Sequence, residues 1–145
     1  MFGYAYNLQA IYKEIIKINL IAANLELVWY SMKIYAIKNC DTVKKALDFL
    51  DKMGVKYDFH DYKKLGITRE KLEDWCKQAG WEKVLKRKGP TWNKIGKPLE
   101  AKLDKEVAIN LMLENQSIIV RPLVEVNGKL ALFGFDANEY TEFFK

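Results

Sequence analysis

The spacing of apolar positions changes several times along the chain, and each change marks an element. Residues 33–37, KIYAI, alternate β-branched and aromatic side chains in the manner of a strand. After a polar turn, Val43, Ala46, Leu47, Leu50 and Met53 recur at helical spacing, and Gly54 follows as a stop signal. Residues 55–62, VKYDFHDY, set Val55, Tyr57, Phe59 and Asp61 on one side of a second strand. Residues 63–68 read as a loop around Gly66. Thr68 then fits the N-cap of a helix striped by Leu72, Trp75, Cys76 and Ala79 and stopped by Gly80. Residues 81–85 continue as a short helical piece, and residues 86–92, KRKGPTW, read as a basic loop broken at Gly89-Pro90. Asp104 caps a helix with Val107, Ala108, Leu111 and Met112 facing inward. Asn127-Gly128 is a hairpin signal joining strands at 123–126 and 129–133, and Asp136 caps a last helix carrying Tyr140, Phe143 and Phe144.

The strand-helix-strand unit over residues 33–62 has a connection length that suits a parallel pair with a right-handed crossover. The order β-α-β, a helical stretch, then β-β-α predicts an α/β protein with a thioredoxin-like fold. Its expected parts are a mixed four-stranded sheet, flanking helices and a helical insertion in the middle. Within 145 residues, this places one domain at residues 32–145.

Residues 1–31 are an N-terminal extension of a different character, aromatic and aliphatic with little charge. A signal peptide is not expected, because the first residues carry no positive charge. A membrane span is disfavoured, because Lys13, Glu14, Lys17, Asn19, Asn24 and Glu26 interrupt the apolar stretch. Two readings stay open. Leu8, Ile11, Tyr12, Ile15 and Ile16 suit an amphipathic helix, or the segment lies outside the functional domain because Met32 itself suits a start; the second is preferred.

Half of the residues are hydrophobic and 30% are charged, a globular balance. Lys13 and Lys17 balance Glu14 and Glu26, so the net charge of +5 belongs to residues 32–145. That charge favours anionic ligands in general, but no nucleic-acid motif accompanies it, and neither nucleic acid nor membrane is an expected partner. Two cysteines and one histidine are too few for an ordinary zinc site or a secreted disulfide framework. No metal is expected, and a reducing, cytoplasmic setting is the default.

Chemistry concentrates at Cys40, between the first strand and the first helix. A helix N-terminus offers unpaired N–H groups and the positive end of the dipole, both of which favour a thiolate. Lys38, Arg87, Lys88 and Arg121 would add positive potential wherever the fold brings them near. A buried structural cysteine is the alternative, but the flanks Lys38-Asn39 and Asp41-Thr42 are polar. Cys76 lies within an apolar stripe and reads as core. His60 reads as a strand residue on the solvent face, and Thr42 as a helper at the helix start or near the sulfur.

The stretches IKNCDTVKKALDFL, YDFHDYKKLGI and IIVRPLVEVNGK together resemble the arsenate reductase (ArsC)/Spx-like family, in particular its single-cysteine, YffB-like subgroup. The resemblance covers residues 32–145. It implies that Cys40 is the nucleophile, and that Arg121 holds an oxyanion or a thiol substrate near it. It also implies that Pro122 is cis and that Arg87, or with a one-residue shift Lys88, supplies a second cation. Asn39 and Thr42 fall in the N-C-x-T part of the pattern. Arsenate reductases proper carry a third arginine in the last strand region; residues 132–136, LFGFD, contain none, which counts against arsenate as the substrate. The Spx-type regulators carry C-x-x-C, whereas Val43 stands at the second position here, which excludes an internal disulfide switch. The resemblance thus implies a monomeric oxidoreductase with no tightly bound cofactor, acting on a small oxyanion or a disulfide. Glutathione, as co-substrate, or a glutaredoxin-like protein would then release the covalent adduct. A regulator that binds RNA polymerase without catalysis is the alternative.

Overall fold

The computed structural model of the chain describes residues 13–15, 17 and 31–145. Apart from residues 13–15 and 17, which are helical, and Ser31, the N-terminal extension lies outside the described residues. Among the described residues, no helix is long and apolar enough to cross a membrane.

Four strands, β1 (Met32–Ala36), β2 (Asp58–Asp61), β3 (Leu123–Val126) and β4 (Lys129–Phe133), form one sheet in the order β2-β1-β3-β4. β1 and β2 are parallel, with Ile34 opposite Phe59, and are joined by helix α1 (Asp41–Lys52) as a crossover. β3 runs antiparallel to β1 and to β4, which makes the sheet mixed. The β3–β4 turn has Asn127 at φ 50° and Gly128 at φ 79°, the doubly left-handed pair that a two-residue hairpin requires. This is the expected thioredoxin-like fold.

The helical insertion between β2 and β3 holds α2 (Tyr62–Leu65), α3 (Arg69–Ala79), α4 (Trp81–Val84), α5 (Pro90–Ile95) and α6 (Lys105–Glu114), with short 3-10 turns at Lys97–Lys102 and Gln116–Ile118. A last helix, α7 (Ala137–Phe144), follows β4. Several boundaries depart from expectation: β2 starts at Asp58 and not at Val55, and residues 63–65, read as loop, are helical. Tyr62 opens a helical turn instead of ending a strand, and Asp61 caps that turn by accepting a bond from the Lys63 N–H at 3.0 Å. Pro90 starts a helix inside the stretch read as a loop through residue 92, because proline's fixed φ and missing N–H suit a first helical position.

Each face of the sheet buries its own core. Ile34, Val124, Val126 and Leu132 pack under α1 and α7 with Leu50, Tyr140 and Phe143. On the other face, Tyr35 and Leu123 pack against the insertion through Leu72, Trp75, Ile109 and Met112. All four β3 residues are therefore buried, including Glu125, whose carboxylate accepts from Trp75 Nε1 at 2.7 Å and pairs with Lys71 Nζ at 2.7 Å. The caps read from sequence are present. Thr68 accepts from the Lys71 N–H, Asp104 from the Val107 N–H and Asp136 from the Glu139 N–H. The carboxylate of Asp104 is exposed and starts α6, so Asp104→Ala should cost about 1 kcal/mol, seen as a lower urea midpoint at unchanged slope.

Candidate active site

Three segments meet at the C-terminal end of β1. The first is the turn that carries Cys40. Its backbone is extended, at φ −146° and ψ 125°, and it occupies the N-cap of α1 without making a side-chain cap bond. The sulfur is therefore free to receive the N–H groups of the helix's first turn. The second segment, residues 84–88, is stitched to residues 118–120 by an antiparallel bridge. Lys86 N donates to Ile118 O at 2.7 Å, Val120 N donates to Val84 O at 2.9 Å, and Leu85 pairs with Ile119. That bridge leads directly into Arg121 and the cis Arg121-Pro122 peptide. The third segment is the end of β4, where Gly134 N donates to Pro122 O at 2.8 Å.

These segments enclose a cleft of about 460 Å³ lined by Cys40, Thr42, Lys86, Lys88, Val120, Arg121, Phe133, Gly134 and Phe135. Arg121 is half-buried. Its Nη1 donates to Ser117 O at 2.5 Å, while its Nε is buried without a protein partner. Beneath it, the fully buried Tyr62 donates its hydroxyl proton to Val120 O at 3.2 Å.

Burial pushes the Cys40 thiol up, but the Val43 N–H, hydrogen bonding and charge from Arg121, and the Thr42 N–H together outweigh it. The net effect holds Cys40 below the ordinary thiol range. Cys76 goes the other way, to about 11, because burial removes water from the charged form and its charged neighbours do not compensate. Both cysteines are free. Lys86 is pushed down, first by burial and then by the charge of Arg121, with Cys40 opposing the shift.

The sequence-derived residues divide by position. Cys40, Thr42, Lys88 and Arg121 line the cleft. Pro122 is buried and bonded to the Gly134 turn. Arg87 is not among the lining residues; its guanidinium lies 5.8 Å over the Trp81 ring. Lys38 and Asn39 line a neighbouring hollow of about 230 Å³, together with Asp61, Lys63 and Lys64. His60 is half-buried and not on a free solvent face. It stacks 4.9 Å from the Tyr35 ring, and its Nε2 is 2.9 Å from Gly66 O. Cys76 is core, as expected. Sequence reasoning missed Lys86, Phe133 and Phe135. Lys86 sits in the same basic run as Lys88, two residues away, and that spacing was an available hint.

A kinetic difference between the cysteines follows directly. At any pH below its pKa, a thiol whose pKa is lowered exposes more thiolate, and one whose pKa is raised exposes less. Iodoacetamide at pH 7 should therefore label Cys40 at least roughly 100-fold faster than Cys76, read by peptide mass spectrometry. Cys76 should become reactive only on unfolding.

The model of the ArsC family matches residues 35–143 of the chain. A protein of Haemophilus influenzae described only as uncharacterized is 37% identical over 107 residues, spanning 74% of this chain and 93% of its own. Among solved structures, one named YFFB protein is 45% identical and covers 79% of this chain and all of its own, with a TM-score of 0.73. An arsenate reductase (ArsC) related protein from Brucella melitensis is 43% identical and covers 79% of this chain and 95% of its own, with a TM-score of 0.67.

Proposed function

The chain belongs to the ArsC family, and we propose that within it the protein is a thiol-dependent reductase with Cys40 as nucleophile. The observation that carries this reading is a thiol of lowered pKa at a helix start, in one cleft with the Arg121 guanidinium. The Cys40 thiolate attacks an electrophilic sulfur or arsenic centre and forms a covalent bond to it, and the displaced group leaves with the electron pair. Arg121, with Lys88 and Lys86 in the same cleft, holds the anionic part of the substrate and balances the charge on the leaving group.

Cys76 is buried in the core of the insertion and does not line the cleft, so the adduct is released by a thiol from outside. Glutathione, alone or through a glutaredoxin-like protein, is the proposed donor, in a reducing cytoplasmic setting. The test is turnover of mixed disulfides and of arsenate with glutathione, with and without glutaredoxin, followed by mass spectrometry of the trapped adduct. Turnover with the adduct on Cys40 supports the proposal. No turnover of either substrate, with RNA polymerase subunits captured instead, would replace it with a regulatory role.

A further inference from the structure

The lining of the Cys40 cleft combines two chemistries. Lys86, Lys88 and Arg121 supply positive charge, and Phe133, Phe135 and Val120 supply apolar surface. The two phenylalanines are held in place, Phe133 against the core on the insertion side of the sheet and Phe135 against the core under α1 and α7. Gly134 between the two phenylalanines is at φ 72°, its N–H bonded to Pro122 O at 2.8 Å and its carbonyl accepting from Tyr140 Oη at 2.8 Å. The Phe135 ring meets Tyr140 edge-on at 4.9 Å and Phe49 at 5.8 Å. Phe133 carries Lys83 Nζ at 5.8 Å from its ring.

A small tetrahedral oxyanion would use the cations and gain nothing from two phenyl rings, against which its hydration shell would be lost at a cost. About 460 Å³ is instead a volume suited to an organic ligand, since small-molecule sites span roughly 300–1,000 Å³.

We propose that the cleft selects an organic disulfide in which the half held beside Cys40 joins a carboxylate to an apolar, preferably aromatic, body. The carboxylate faces Arg121 and the lysines, and the apolar body lies against Phe133 and Phe135. This rests on Cys40 as the nucleophile. The Cys40 thiolate forms a bond to the disulfide sulfur of the held half. The original S–S bond breaks, and the other half leaves as a thiolate that takes a proton from solvent. One external thiol then displaces the held half, a second reduces the resulting mixed disulfide, and Cys40 returns as a thiolate. Two external thiols supply the two electrons and end as their own disulfide.

The experiment measures the single-turnover rate of Cys40 with three symmetrical disulfides, each divided by the rate of free glutathione with the same reagent so that intrinsic reactivity cancels. The aromatic dicarboxylate 5,5′-dithiobis(2-nitrobenzoate) should exceed both dithiodiglycolate, which has the carboxylates without the rings, and 4,4′-dithiodipyridine, which has the rings without the charge, by about tenfold. Phe133→Ala should remove most of that advantage, lowering the ratio for the aromatic dicarboxylate several-fold more than the ratio for dithiodiglycolate. Phe133→Arg should reverse the preference toward the small dianion. Equal ratios for all three disulfides, or an equal loss on all three in Phe133→Ala, would overturn the selectivity while leaving Cys40 as nucleophile. Failure of every disulfide to form an adduct on Cys40 would overturn the nucleophile itself.

Discussion

Cys40→Ser should abolish turnover, by roughly 10⁴-fold or more, while leaving the protein at least as stable as before. The loss follows because a serine hydroxyl does not ionise near neutral pH, so none of the groups arranged to favour a thiolate has an anion to act on. The stability follows from the same geometry. Cys40 is the N-cap of α1 and makes no side-chain cap bond, and the N–H groups of Thr42 and Val43 that favour its thiolate are those a serine oxygen caps well. A gain of about 0.5–1 kcal/mol is expected, read as a higher urea midpoint. Cys76→Ala should behave in the opposite way, losing stability from a core position and keeping activity. Turnover by Cys40→Ser within tenfold of the wild type would remove Cys40 from the chemistry. A fall in its stability of more than about 1 kcal/mol would show that the sulfur holds the helix start together.

That N-cap was legible in the sequence because capping is local: a polar turn, then apolar residues at helical spacing. The hairpin at Asn127-Gly128 and the caps at Thr68, Asp104 and Asp136 were legible for the same reason. The cleft walls were less so, because contacts between distant residues set them. Which cation of KRK faces Cys40 depends on the bridge between residues 84–86 and 118–120, and a one-residue rotation about it would exchange Arg87 for its neighbours. Phe133 and Phe135 carry no signal of their own, since aromatic residues at the end of a strand usually read as packing. Glu125 is the sharpest case. Between Val124 and Val126 an acidic side chain carries no local signal of burial. Trp75 and Lys71, some fifty residues earlier in the chain, supply the bonds that let its carboxylate be buried.

The role of Arg121 separates into charge and geometry, and two substitutions pull them apart. Arg121→Met keeps most of the side-chain volume and removes the guanidinium. It should lower kcat/KM for anionic substrates at pH 7 by about 10²–10³-fold, the usual cost of deleting one preorganised donor. Because Arg121 favours the Cys40 thiolate both by hydrogen bonding and by charge, its removal raises the Cys40 pKa. The ascending limb of the pH–rate profile, and of the alkylation rate, should move to higher pH. The deficit is then largest in the acidic range and narrows as pH rises past the variant's own pKa. What remains on that plateau measures lost substrate binding alone. Arg121→Lys restores the charge without the planar fork and without the Nη1 bond to Ser117 O. Its alkylation profile should return most of the way to wild type while its turnover recovers only in part. An Arg121→Met variant with an unmoved alkylation profile would mean that the helix start alone sets the thiolate. A deficit independent of pH would leave Arg121 as a substrate-binding residue only.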